Sequence, residues 1–176
     1  KRGIVMLKSE IRRIREDRIL SQLDKGGIMT VEQLRKVTDL GVGGRANALR
    51  VLREMERSGL VVSKHVGVKL FSSDLRSRFG FREHTLMRND FLIDRGWFEL
   101  CKVEVPIRKG GEVVLRADAG VFMQGEWLFI EIDRRQTRRA NLAKFDIYKD
   151  LGLKFVVVCR NRHKYFPEWV KTIEIG

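Results

Sequence analysis

The sequence predicts an α+β chain in two parts, three helices with a two-stranded hairpin and then an α-β-β-β-α-β segment carrying a mixed sheet. Three observations predict this. Apolar residues recur at helical spacing up to about Ser58, after which alternation and short apolar runs take over. The run Phe155–Cys159 is continuously apolar and follows a helical pattern, as does a buried strand lying parallel to its neighbour through a crossover. Charge also changes along the chain: residues 1–80 carry 18 Lys/Arg and 9 Asp/Glu, and residues 81–176 carry 18 and 14. A strand-like run ends at Ser72-Ser73-Asp74, which places the junction between Ser72 and Gly80 and the two parts at 1–73 and 80–176.

The first helix spans about Ser9 to Leu23, with Ile11, Ile14, Ile19, Leu20 and Leu23 as apolar positions and Gly26-Gly27 as its end. Thr30 is a good N-cap for the second, because Gln33 stands in the capping-box position; Val31, Leu34 and Val37 are its buried side. The third helix starts after Gly43-Gly44 and ends near Ser58, with Gly59 as the residue beyond its end. Ala48, Leu52 and Met55 share one face, whereas Arg45, Asn47, Arg50 and Arg57 fall largely elsewhere. Leu60–Val62 and Val68–Phe71 then flank Lys64-His65-Val66-Gly67 as a two-stranded wing. This order is that of a winged helix-turn-helix, and ALRVLREMERSGLV from Ala48 resembles the recognition-helix-to-wing junction of many bacterial winged-helix regulators. Arg45, Asn47 and Arg50 on an outer helix face suit base edges in the major groove of double-stranded DNA, and Lys64 and Lys69 suit phosphates. The competing reading is a basic solvated face on a protein-interaction module. Arg12, Arg13, Arg15 and Arg18 fit a solvated face as well as a DNA contact.

In the second part, Phe81–Arg95 reads as a helix ended by Gly96, with Leu86, Phe91 and Leu92 as core candidates. Trp97–Val105 is expected as a strand, Lys109-Gly110-Gly111 as a hairpin turn, and Val113–Phe122 as the next strand. Gln124-Gly125-Glu126 leads to a third strand, Trp127–Asp133. Arg138–Leu151 is helical, with Leu142, Phe145 and Tyr148 on its inner side. Phe166–Lys171 reads as a short last helix.

Alternation sets Arg116, Asp118 and Gly120 on one strand face and Phe129, Glu131 and Asp133 on one face of the next. If the two strands pair through the turn at Gly125, Asp118 and Glu131 come side by side at one end of the sheet. Clustered carboxylates repel one another unless a cation sits among them, and hard oxygen donors suit Mg²⁺ or Mn²⁺. Such an ion can polarise a phosphodiester and acidify a bound water. The competing reading makes these acids solvated strand ends paired with Arg116, Arg134 or Arg135. Asp133 ahead of Arg134-Arg135 fits a surface ion pair, and His84, near a helix start, fits a hydrogen-bonded terminal residue.

The layout RADAGVF…GEWLFIEIDRRQ resembles the core of the PD-(D/E)xK nuclease fold, with Asp118 and Glu131 matching its two acids. Asp133 stands where that pattern has a lysine, a departure that bears on hydrolysis. Some members place another residue there, and others supply the lysine from the following helix, where Lys144 is the candidate and Gln136 and Tyr148 would be supporting polar groups. More broadly, a basic winged helix, FREHTLMRNDFLIDRGW, RADA, EIDRRQ and AKFDIY together resemble the replication-relaxation family of plasmid and mobile-element proteins. His84, Asp118, Glu131, Asp133, Lys144 and Tyr148 carry that match. It implies DNA binding in bacterial plasmid replication or relaxation.

Two functional readings follow. The first is a double-stranded-DNA-binding regulator or replication accessory whose nuclease-like domain is degenerate and needs no cofactor. The alternative is a metal-dependent DNA endonuclease in which Asp118, Glu131 and Asp133 hold Mg²⁺ or Mn²⁺ and Lys144 or His84 assists the water or the leaving group. A module without nucleic acid leaves the formal net charge of +13 unexplained. No apolar run approaches the roughly 20 residues of a membrane span, and no signal-peptide pattern is visible, so the expected location is cytoplasmic. Cys101 and Cys159 read as core thiols of a reducing compartment, and the three histidines lack zinc-ligand spacing. Winged-helix proteins often pair, so a homodimer stays open. The start at Lys1 rather than Met is compatible with a fragment.

Overall fold

The computed structural model describes residues 7–74, 79, 82–134 and 138–175. They form an α+β chain of two compact units, Lys1–Asn89 and Asp90–Gly176. The division falls inside helix α4 (Arg82–Asp94), later than the Ser72–Gly80 stretch suggested by composition. Hydrogen bonding accounts for this. Asn89, fully buried, donates to the carbonyls of Gly26 and Ile28 at 3.1 Å, and buried Arg88 donates to Gly26 at 2.9 Å. The front of α4 therefore satisfies carbonyls at the end of the first helix, where no intrahelical donor remains.

The N-terminal unit runs α1 (Lys8–Gly26), β1 (Met29–Thr30), α2 (Val31–Val37), a 3-10 turn (Asp39–Gly41), α3 (Gly44–Arg57), β2 (Val62–Val66) and β3 (Val68–Ser72). The Thr30 capping box forms: Gln33 N–H donates to Thr30 Oγ1 at 3.1 Å, and Thr30 N–H donates to Gln33 Oε1 at 3.0 Å. Ile19 and Leu23 of α1 are buried, but Ile11 and Ile14, expected on the same inner side, are 45% and 56% exposed. The core thus begins at Ile19. Ala48, Val51, Leu52 and Met55 form the buried stripe of α3. Two details depart from expectation. Met29 and Thr30 pair with Phe71 and Leu70, adding a third strand too short to show alternation. The hairpin is also tighter than expected: Lys64 and His65 lie within β2, and Gly67, at φ +82°, makes the turn.

In the C-terminal unit a five-stranded mixed sheet has the order β4-β5-β6-β7-β8. Its strands are β4 (Cys101–Lys109), β5 (Glu112–Met123), β6 (Glu126–Asp133), β7 (Lys154–Cys159) and β8 (Thr172–Glu174), with α5 (Arg138–Asp150) between β6 and β7. The first three strands are antiparallel, and β7 is parallel to β6 through α5, as the apolar run implied. The turns at Gly110-Gly111 and Gln124-Gly125 use positive φ at both residues, the geometry that matches the twist of paired strands. β4 starts four residues later than expected because the chain first turns, with Cys101 N–H donating to the Trp97 carbonyl at 2.9 Å. Pro106 is accommodated because β4 is an edge strand. The short helix expected at Phe166–Lys171 does not form. Arg162 donates to the carbonyls of Val170 and Pro167 at 2.7 and 2.9 Å, and the chain continues into β8, parallel to β7. Phe145, Val157, Phe166 and Val170 form one core cluster, and Ile107, Ala117, Phe129 and Tyr148 another. Among the described residues no helix is long and apolar enough to cross a membrane.

Candidate functional site

The antiparallel ladder of β5 and β6 ends at Ala119↔Ile130, so Asp118 and Glu131 are the next positions along it. There Asp118 Oδ2 accepts the Ile132 N–H at 2.7 Å, a side-chain bond in place of a ladder bond. Asp118, Glu131 and Asp133 are only 8%, 3% and 4% exposed. Burying ionised carboxylates costs several kcal/mol each unless they are partnered, and α5 supplies partners. Its positions Asn141, Lys144 and Tyr148 fall on one helical face. Lys144 Nζ donates to Glu131 Oε2 at 2.6 Å, and Tyr148 OH donates to Glu131 Oε1, also at 2.6 Å. The Asp118–Glu131–Lys144 grouping expected from sequence is thus assembled, with Tyr148 both in the core and bonded to the acid. Gln136 and Arg135 lie outside the described residues.

Burial pushes the Glu131 carboxyl up to about 7, and the charge of Asp118 adds to the shift; Lys144 and Tyr148 act against it. For Lys144, burial opposes the charge, but the carboxylates of Glu131, Asp118 and Asp133 outweigh it and hold the ammonium above its usual range. Burial also pushes the Tyr148 phenol up, with Glu131 adding to it, so the phenol remains a donor. Cys159, at the end of β7, is raised to about 11 by burial and then by Asp133, which makes it an inert thiol.

One member of this centre was not visible in the sequence. His163 Nε2 lies 2.9 Å from Asp133 Oδ2. The imidazole stacks on Tyr165 with ring centroids 5.1 Å apart, and Tyr165 OH accepts from Asn141 Nδ2 at 2.8 Å. Nothing in the spacing of the histidines points to this pair. It follows from the parallel register that sets Asp133 opposite Cys159, so that the loop leaving β7 passes the end of β6. Asp133 thus has an imidazole beside its carboxylate. His84, by contrast, is a half-buried residue in the first turn of α4, in the other unit.

Three carboxylates are the right kind of donor for Mg²⁺ or Mn²⁺. In this arrangement each of them already has a neighbour within the protein. Both Glu131 oxygens accept short bonds, Asp118 holds a backbone N–H and Asp133 faces His163. Among the described residues no group of three His, Cys, Asp or Glu side chains is arranged to hold a metal. Lys144 brings an ammonium to the cluster.

In the N-terminal unit, α3 turns its unburied side outward. Arg45 and Arg50 side chains are 66% and 60% exposed. Arg45 pairs with Glu32 at 3.0 Å; Arg50 pairs with Glu54 at 2.8 Å and donates to Asn47 Oδ1 at 2.8 Å. Exposed pairs of this sort contribute about 0–1 kcal/mol. Asn47 Nδ2 donates to the Val42 carbonyl at 3.2 Å. Lys64 is exposed on β2. Lys69 is more committed: its Nζ pairs with Glu56 at 2.8 Å, and this bond, followed by that from Ser63, holds the Glu56 carboxyl below its usual range. Compared with known proteins, the chain matches no family model, no curated protein and no solved structure.

Proposed function

We propose that the N-terminal unit is a winged helix-turn-helix that binds double-stranded DNA, and that the C-terminal unit is a nuclease-like domain with a degenerate centre. The observation that carries the DNA reading is α3. One side of it is a buried stripe, and the other presents Arg45 and Arg50 to solvent as exposed, weakly paired groups, with half-buried Asn47 between them. A helix of that kind enters the major groove, where arginine and asparagine meet base edges. The basic excess of residues 1–80 provides the phosphate attraction, with Lys64 and Lys69 on the hairpin. The resemblance to the replication-relaxation family supports plasmid or mobile-element DNA as the target.

The test is a gel-shift or anisotropy titration of duplex DNA against the full chain over a range of salt. Affinity should fall steeply as salt rises. Arg45→Ala and Arg50→Ala should weaken it and reduce the slope of log affinity against log salt by about 1 for each phosphate that no longer meets a cation. Affinity indifferent to salt and to both substitutions would remove the reading.

A second reading, a Mg²⁺- or Mn²⁺-dependent endonuclease with the PD-(D/E)xK arrangement, is favoured by one contact. Lys144, from the helix after the acids, donates to Glu131 and so stands in for the lysine that Asp133 displaces. Incubation of plasmid DNA with Mg²⁺ or Mn²⁺, beside Asp118→Ala and Glu131→Ala, separates the two. Cleavage by the parent chain that both variants lose supports the enzyme; DNA binding without cleavage supports the degenerate centre.

A further inference from the structure

Away from the carboxylates, at the other end of β6 and β7, the C-terminal unit has an open cavity of about 300 Å³. Leu128 and Lys154 pair where the two strands begin, whereas Asp133 and Cys159 pair where they end. Phe155 and Trp169 line it, with fully buried Tyr148 behind Phe155. Tyr148 and Phe155 stack with centroids 4.4 Å apart, and Phe155 meets Trp169 edge-on at 6.1 Å. Three lysines, Lys149, Lys154 and Lys171, also line it, with no acidic side chain among the lining residues. Lys154 is paired with Glu126. Among the described residues, neither Lys149 nor Lys171 has an acid within ion-pair distance, and both are exposed. The Lys149 ammonium sits 5.5 Å from the centroid of Trp169, itself 43% exposed although large and apolar.

We propose that this cavity binds a nucleotide, with the base against Trp169 and the phosphate on Lys149 and Lys171. The observations select that ligand class in steps. An aromatic wall selects a planar ring, because stacking on an indole face is favourable for every base. Two cations beside that wall select an anionic group joined to the ring. The volume lies at the low end of the roughly 300–1,000 Å³ typical of small-molecule sites, which fits one nucleotide and not a duplex. The same chemistry is offered by a free nucleoside monophosphate and by a base unstacked from a single strand. Tyr148 joins this cavity to the acidic centre, since its ring backs Phe155 and its hydroxyl holds Glu131. The inference does not rest on the duplex-binding reading, which concerns the other unit.

The full chain is titrated with deoxynucleoside monophosphates and, separately, with an oligothymidylate single strand, following tryptophan fluorescence. Lys149→Ala/Lys171→Ala and Trp169→Phe are compared with the parent, with circular dichroism checking that each is folded. Quenching by either probe is expected, with at least ten-fold weaker binding in the double lysine variant and loss of most of the quench in Trp169→Phe. Which probe binds identifies the source of the nucleotide. Binding of neither, or binding unchanged in the folded lysine variant, overturns the proposal. So does inorganic phosphate competing as well as the nucleotide, because the aromatic wall would then contribute nothing.

Discussion

Glu131 makes the C-terminal unit's stability depend on pH, and the size of the effect follows from its surroundings. Its carboxyl titrates near 4.5 when exposed and at about 7 in the fold, where burial and Asp118 disfavour the charge. Between these values the unfolded chain releases a proton that the folded chain keeps. The unfolded state then binds fewer protons, so stability falls as pH rises from about 4.5 to about 7 and levels off above that. At 1.36 kcal/mol per unit the loss is about 3 kcal/mol, large for a small unit. Glu131→Gln removes the ionisation and keeps the shape. All three tryptophans, Trp97, Trp127 and Trp169, lie in the C-terminal unit, so fluorescence-monitored urea unfolding reads that unit alone. The parent should lose about 3 kcal/mol relative to Glu131→Gln between pH 4 and pH 8. A constant offset from altered hydrogen bonds does not matter; the change of the difference with pH does. A difference that stays flat across this range would refute the electrostatic account of the centre.

Other expectations follow from the same geometry. Asp118→Asn removes a charge that raises Glu131, so the pH-dependent loss should shrink in the same urea assay and its midpoint move to lower pH. Lys144→Met leaves Glu131 buried without its cation and should cost about 3–5 kcal/mol at pH 8 but much less at pH 5, where Glu131 is neutral. Asn89→Ala takes the side-chain donor from the Ile28 carbonyl, while Gly26 keeps its bond from Arg88, and should destabilise the N-terminal unit by about 1–3 kcal/mol, read by far-ultraviolet circular dichroism during unfolding. Thr30→Ala removes a helix cap and should cost about 1 kcal/mol by the same measurement.

Much of the architecture is legible in the sequence because local rules and packing agree. The Thr30 cap, the stripe on α3, the glycine turns at Gly110 and Gly125 and the parallel strand at Phe155–Cys159 each have a short-range cause. The departures have causes too. Ile11 and Ile14 obey helical spacing, yet spacing cannot say where a helix runs past its core. Phe166–Lys171 has the apolar neighbours of a short helix, but Arg162 takes the carbonyls that such a helix would use.

The acidic centre divides in the same way. Strand alternation and one tight turn are enough to bring Asp118 beside Glu131, because both act over a few residues. Two placements need the folded chain: Lys144 and Tyr148 on the two oxygens of Glu131, and His163 on Asp133. They depend on how α5 crosses the sheet and on which strand end the β7–β8 loop passes. Pattern along the chain reports which side of a strand or helix a residue occupies; only packing between distant segments decides which two sides meet.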